Sequence, residues 1–169
     1  SVRTVAYYKV RFDFKGTTSH AGAAPELGRS ALDACELMNV GVNYLREHII
    51  SDARVHYAYL DCGGEAPNIV PDHASLLYFI RAPKLVQSGE ILERMRKIAE
   101  GAALMTETKV SIKVLGGLSD TIPNPTLSQL LSDAYLETGA PDFGEEEFAI
   151  ARDFLAAMPQ EQRERMVKN

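Results

Sequence analysis

The sequence predicts an α+β domain with the ferredoxin-like element order β-α-β-β-α-β, followed by a helical segment. Four segments alternate apolar and polar residues with the period of a half-buried strand. Two longer segments repeat apolar residues at helical spacing, so each helix needs a sheet face to cover. A four-stranded antiparallel sheet with both helices on one face satisfies this need. Right-handed crossovers then place the first and fourth strands in neighbouring or central positions.

The first strand is predicted over residues 2–14, because Ala6, Val10 and Phe12 share one face with further apolar residues. Gly16 ends this strand, and a loop containing His20 follows. Small residues flank His20 on both sides, and such a loop allows a ligand to approach the backbone closely. For a lone histidine in a connector, an exposed residue without function is the common interpretation, so His20 needs support from elsewhere in the chain.

The remaining elements of the first domain follow from the same patterns. Ser30 and Asp33 form an approximate capping box at the start of the first helix. Gly116 and Gly117 close the fourth strand. The predicted elements are a helix from Ser30 to about Ser51, a strand over 55–60, a stiff connector over 65–72, a strand over 74–81, a helix over 85–105 and a strand over 109–115.

The last fifty residues differ in character from the rest. Pro123-Asn124-Pro125 is typical of a linker, and a capping box of Thr126 and Gln129 opens a short helix. Further helices are predicted over 145–158 and 160–169, with apolar faces and no strands of their own. We therefore expect residues 1–118 to form one domain and residues 119–169 to pack against another part of a longer protein.

Composition narrows the classes of protein. The chain has 169 residues, of which 46% are hydrophobic and 24% charged, as in soluble globular proteins. It contains no apolar run long enough for a transmembrane helix and no signal-peptide pattern, so no membrane partner is expected. The net charge of −5 argues against nucleic-acid binding. Two cysteines without metal spacing favour a reducing, cytoplasmic location.

Three polar residues lie where predicted elements end: His20 after the first strand, Asn68 in the connector, and Arg81 at the end of the third strand. A histidine can donate a hydrogen bond to a developing oxyanion. A guanidinium can hold a carboxylate through paired hydrogen bonds, and an amide can orient one. Each residue also has a structural interpretation, Arg81 as a surface ion-pair residue and Asn68 as a turn former. No metal-binding motif links the four dispersed histidines.

Several motifs together resemble a known family. They are Phe14-x-Gly16-x-x-Ser19-His20-Ala21, Gly28-Arg29-Ser30-Ala31, Gly63-Gly64-x-x-Pro67-Asn68-Ile69-Val70-Pro71-Asp72, and the strand that ends at Arg81. This pattern is similar to the dimerisation, or lid, domain of the dinuclear-metal aminoacylase and carboxypeptidase G peptidases. The resemblance covers most of residues 3–117 and continues more weakly into the tail.

The resemblance implies a function for the whole protein. The lid would be inserted in a metal-dependent amidohydrolase that cleaves an amide bond of an N-acyl or aminobenzoyl amino acid, a small-molecule substrate. Two lids would pair as a homodimer, or with a homologous second subunit. His20 would reach into the partner's active site to stabilise the oxyanion, while Asn68 and Arg81 would bind the carboxylate side of the substrate.

The same resemblance assigns the catalytic metals to another part of the protein. Two divalent ions, Zn or Mn, would belong to the full-length enzyme and none to this chain, which lacks the family's metal ligands. Glu145-Glu146 follows the lid, whereas the family's glutamate pair precedes it. We therefore expect this chain alone to be inactive. The alternative is a non-catalytic ferredoxin-like module for ligand binding or dimerisation, which needs only the same fold and a pairing surface.

Overall fold

The structure is a computed structural model that describes residues 4–167. The chain divides into two compact units, one up to Pro123 and one from Asn124 onward. Within the described residues, every helix is too short or too polar to cross a membrane. In chain order the first unit contains β1 (Ala6–Lys15), β2 (Ser19–His20), α1 (Ala31–Leu45), β3 (Arg54–Asp61), β4 (Ile69–Val70), β5 (His73–Ala82), α2 (Leu85–Met105) and β6 (Lys109–Leu118).

Four of these strands form one antiparallel sheet in the order β3-β5-β1-β6. The first and fourth long strands, β1 and β6, are neighbours, which confirms the predicted topology. Both helices cover the same face, because the core consists of alternate residues of the strands together with one side of α1 and α2. The fold class predicted from the sequence is therefore correct.

The core lies between the two central strands and the two helices. Its largest fully buried side chains are those of Tyr78, Phe12, Phe14, Met38, Leu76, Ile80 and Met95. One polar group is buried with them, since the Tyr78 hydroxyl donates to Oδ1 of Asn39. The Asn39 amide in turn donates to the Tyr59 hydroxyl at 3.1 Å. A buried amide is tolerated here because its hydrogen bonds are made inside the protein.

The predicted end of the fourth strand is wrong. β6 runs through both glycines to Leu118, and Gly116 and Gly117 pair with Lys9 and Tyr8 of β1. The register shifts between Lys9 and Val10, which is the mark of a bulge. The glycines fit this irregularity because a Cβ on Gly117 would lie only 3.1 Å from the Tyr7 carbonyl oxygen. They therefore bend the strand and do not stop it.

Helix ends show one correct cap and one displaced cap. Ser30 caps α1, and its hydroxyl accepts a hydrogen bond from the Asp33 amide at 3.1 Å. α1 is shorter than predicted, since it passes into a short 3₁₀ helix at Arg46. At the later helix, Asn124 and not Thr126 is the cap, because its Oδ1 accepts from the Leu127 amide at 3.0 Å and Pro125 occupies the first turn.

The second unit consists of helices, as predicted. They are α3 (Pro125–Thr138), α4 (Glu145–Ala156) and α5 (Gln160–Val167). The predicted last helix extended to residue 169, and its final two residues lie outside the described part of the chain. Many apolar side chains of this unit are exposed, among them Leu136 at 80% and Phe154 at 68%. Their exposure agrees with the prediction that residues 119–169 pack against another part of a longer protein, which stays a prediction.

Candidate functional site

His20 lies in a two-stranded sheet that the sequence analysis missed. β2 pairs antiparallel with β4, so that Ser19 faces Val70 and His20 faces Ile69. The connector that carries Asn68 is thus paired with the loop that carries His20. Two residues per strand are too few to show alternation in a sequence, so the pattern gave no signal for this pairing.

Backbone hydrogen bonds join the two segments beyond this small sheet. We call residues 16–30 and 62–72 together the arm. The Gly16 amide donates to the Asp72 carbonyl at 2.7 Å, and the Ala31 amide donates to the Pro71 carbonyl at 2.9 Å. Within the first segment, Thr17 and Arg29 exchange two backbone bonds of 2.9 and 2.8 Å. The arm is therefore held at its base by main-chain contacts and not by a buried apolar cluster.

Two glycines allow the backbones to approach this closely. A Cβ on Gly16 would lie 1.8 Å from the Arg29 carbonyl oxygen, which excludes any side chain there without a backbone shift. Gly63 has a φ of +84°, in the left-handed region that favours glycine. A Cβ on Gly63 would also lie 2.6 Å from the His73 carbonyl oxygen. The two glycines of the family-like motifs therefore have a steric role in forming the arm.

The His20 ring is oriented by the backbone that follows it. Its Nδ1 accepts hydrogen bonds from the amides of Gly22 and Ala23, both at 3.1 Å. A ring nitrogen that accepts cannot carry the proton, so the neutral ring has its proton on Nε2. The side chain is exposed. The imidazole is thus a pre-oriented donor that presents an Nε2–H group to its surroundings.

Asn68 lies beside His20 in the arm. It is the turn residue immediately before β4, and its carbonyl oxygen accepts a hydrogen bond from the Ala21 amide at 2.9 Å. Its side chain is exposed. The structure therefore brings together two of the three predicted site residues, and it does so through the backbone next to each of them.

Arg81 lies far from this pair within one chain. The arm adjoins the first residue of β5, His73, whereas Arg81 is eight residues further along the same strand. At the usual rise per residue this corresponds to about 27 Å. Arg81 faces away from the helices, between Tyr7 of β1 and Arg54 of β3, and its guanidinium lies 5.5 Å from the centre of the Phe79 ring. One small substrate cannot contact Arg81 and His20 of the same chain.

A histidine at the base of the arm carries the clearest electrostatic perturbation. His73 Nδ1 lies 2.7 Å from Asp72 Oδ1, and its Nε2 lies 3.3 Å from Asp61 Oδ2. The hydrogen bond from Asp72, followed by the charge of Asp61, raises the pKa of His73. The same hydrogen bond lowers the pKa of Asp72. Asp61 and Asp72 bracket the second segment of the arm, so protonated His73 joins its two ends.

The described residues contain no group of three or more His, Cys, Asp or Glu side chains placed to hold a metal ion. Cys35 and Cys62 are both unbonded, the first buried and the second exposed. Burial raises the pKa of the Cys35 thiol to about 12, so it behaves as an apolar core residue. In the part of the chain that the structure describes, no residues therefore fit the expected metal pair.

The fold and these motifs agree with the comparisons to known proteins. Residues 1–106 match the family model described as the peptidase dimerisation domain, and the chain belongs to this family. The match favours a peptidase dimerisation domain over the alternative of a regulatory ferredoxin-like module.

Individual relatives narrow the similarity. The whole chain is 44% identical to a stretch covering 35% of one of the two subunits of p-aminobenzoyl-glutamate hydrolase from Escherichia coli. It is 34% identical to mouse Xaa-Arg dipeptidase over 80% of this chain and 30% of that protein. Among solved structures it resembles an aminobenzoyl-glutamate utilization protein from Klebsiella pneumoniae, with a TM-score of 0.66 and 27% identity over 76% of this chain and 33% of that one. The chain thus spans about a third of the length of these relatives.

Proposed function

We propose that this chain is the lid of a metal-dependent amidohydrolase that cleaves the amide bond of an N-acyl or aminobenzoyl acidic amino acid. p-Aminobenzoyl-glutamate is the expected substrate, given the names of two of the relatives. The observation that carries the proposal is the His20 imidazole, which is held as an Nε2–H donor by two backbone amides. Such a fixed donor is suited to an oxyanion that forms during amide hydrolysis.

Each of the three residues has a separate role in this proposal. His20 donates from Nε2 to the oxyanion. Asn68, held next to it, orients the carbonyl or carboxylate of the substrate through its exposed amide. Arg81 binds a carboxylate of the amino-acid part, since a guanidinium forms two parallel hydrogen bonds with it. This chain's residues thus bind and orient the substrate.

The distance between Arg81 and His20 requires two chains for one site. We propose that two protomers pair antiparallel along the exposed edge of β3, the strand that precedes the second segment of the arm. Arg81 pairs in register with Arg54 at the start of β3, whereas the arm follows the end of β3 at Asp61. Antiparallel pairing places the start of one β3 beside the end of the other. It therefore brings Arg81 of one protomer toward His20 and Asn68 of its partner.

An edge strand is a suitable surface for this contact. One side of β3 has no strand partner among the described residues, so its backbone donors and acceptors are free to pair with another chain. Exposed Tyr57 adds an aromatic side chain to this edge. In a two-fold dimer the same edge serves both protomers. The partner is a second copy of this chain or a homologous protein.

The remaining catalytic groups belong to the other part of the protein. We propose that it holds two divalent ions, Zn or Mn, which supply the activated water. Residues 119–169 would be the segment that returns to that part after the lid, which spans residues 1–118. The reducing, cytoplasmic location inferred from the cysteines stays a prediction.

Kinetics of the full-length enzyme test the role of His20. Loss of one oxyanion donor costs about 10²–10³ in kcat, so we expect His20→Ala to lower kcat by this factor and to change KM little. His56→Ala, at an exposed histidine of β3, is the matched control. A His20→Ala enzyme with the parent's kcat on p-aminobenzoyl-glutamate would contradict the proposal.

A further inference from the structure

The face of the sheet opposite the helices has an uneven distribution of charge. In the half that contains Arg81, the side chains on this face include Arg54, Lys9, Arg11 and Lys113, and no acid. The two acids of this face, Asp13 and Asp61, lie toward the arm. We call the half around Arg81 the basic half. A net charge of −5 for the whole chain makes this local excess of cations more informative.

Two of these cations share one aromatic ring. The Lys9 ammonium lies 5.7 Å and the Arg81 guanidinium 5.5 Å from the centre of the Phe79 ring. The Tyr7 ring lies next to it, with centroids 5.2 Å apart. Cation–π attraction holds both groups over the sheet while leaving their donors available. Two like charges beside one ring repel each other, and an anion bound between them would remove this repulsion.

The cations of the basic half differ in how far they are already neutralised. Arg11 forms an ion pair of 2.6 Å with Asp13, and Arg54 donates to the carbonyls of Ser51 and Ala53. Within the described part of the chain, Lys9, Arg81 and Lys113 form no ion pair. The available positive charge is thus concentrated on these three side chains.

Their spacing suits a chain of carboxylates. Lys9 is adjacent to Phe79 across β1 and β5, and Lys113 pairs with Arg11, the next residue of β1 on this face. Neighbouring and diagonal side chains on a sheet face are about 5–8 Å apart. The cations therefore form a short track that begins at Arg81 and continues over Lys9 toward Lys113.

We propose that this track binds the further carboxylates of substrates in which the acidic amino acid is extended by one or more acidic residues. Arg81 holds the first carboxylate, Lys9 the second and Lys113 a third. The inference rests on the proposed function, because it assigns the preferred substrate of the same site. A substrate with a single acidic residue uses Arg81 alone and gains nothing from the two lysines.

The test compares aminobenzoyl amides of one, two and three glutamates with the full-length enzyme. We expect kcat/KM to rise with the number of glutamates, and the rise to shrink as salt screens the charges. Lys9→Gln should lower kcat/KM for the two-glutamate substrate about three- to fivefold, the upper range for an exposed ion pair. It should leave the one-glutamate substrate unchanged, which also shows that the variant is folded.

A charge-matched control and a binding measurement complete the test. Lys97→Gln removes an exposed lysine from α2, in the helix layer, and should affect no substrate. Triglutamate should inhibit the parent more strongly than the Lys9→Gln variant. Equal loss with both substrates, a lower stability of Lys9→Gln, or equal inhibition of both enzymes by short duplex DNA would overturn the inference while the proposed function stands. An enzyme that cleaves no acidic amide would contradict the proposed function itself.

Discussion

His20 and Arg81 lie at opposite ends of one domain and are held in place by different kinds of interaction. The arm that carries His20 is built from backbone hydrogen bonds and close approaches at glycine, with little apolar burial. Arg81 projects from the central strand β5, whose helix-facing side chains are fully buried. We therefore expect the His20 end to be sensitive to changes in backbone geometry and the Arg81 end to changes in charge.

The largest expected effect comes from a methyl group at the base of the arm. Gly16→Ala places a Cβ against the Arg29 carbonyl oxygen, so the first segment of the arm must move and carry His20 with it. A displacement of about 1 Å in a catalytic group can cost about 10² in rate, and we expect such a loss in kcat. The thermal unfolding temperature of the helix-covered core should change much less.

Gly101→Ala is the matched control for this substitution. It adds the same methyl group on α2, where a Cβ would meet no atom within 4 Å, and alanine favours a helix. Its kcat should equal that of the parent. If Gly16→Ala were as active as Gly101→Ala, the arm would not depend on its backbone contacts as described.

A smaller effect is expected from a change in the core. Tyr78→Phe removes the hydroxyl that donates to Asn39 and leaves a buried acceptor without that bond. Such a loss costs about 1–3 kcal/mol of unfolding free energy. Denaturant unfolding should show this loss with kcat unchanged, while Tyr44→Phe, at an exposed tyrosine, should show neither. A fall in kcat for Tyr78→Phe would mean that the core and the site are not separable.

The smallest expected effect is the pH dependence of the arm. The pKa of His73 is raised above its reference value of 6.5 by Asp72 and then Asp61. A raised folded-state pKa contributes stability that is fully present below 6.5 and is lost as the pH rises through the folded-state pKa. Amide hydrogen exchange in the arm should therefore be slower in the parent than in His73→Gln at low pH, and the difference should vanish at high pH. A constant difference across pH would contradict the role of His73.

The sequence predicted the fold well because the four long strands and two helices each bury one face at a regular period. β1 and α2 show this most clearly, and α2 has the predicted bounds from Leu85 to Met105. Local exceptions were not predictable in the same way. Gly116 and Gly117 are turn residues by composition, but here they form a bulge that only the pairing with β1 defines.

The candidate site was only partly accessible from the sequence. Alternation could place Arg81 on the face away from the helices, but the pairing of β2 with β4 depends on contacts between segments about 50 residues apart. The Nε2–H donor of His20 depends on the turn that directs the Gly22 and Ala23 amides toward its ring. The separation of Arg81 from His20 became evident only with the direction of β5, and it changed one site into a site shared by two chains.

The most direct test of the shared site is complementation between two inactive full-length variants, His20→Ala and Arg81→Ala. When the variants are mixed and exchange protomers, each mixed dimer has one site that carries both changes and one site that carries neither. With random exchange of protomers in a two-fold dimer, roughly a quarter of the parent activity should return. If His20 and Arg81 of the same chain served one site, every site in the mixture would carry a change. Activity no higher than the mean of the two variants would therefore contradict the shared site.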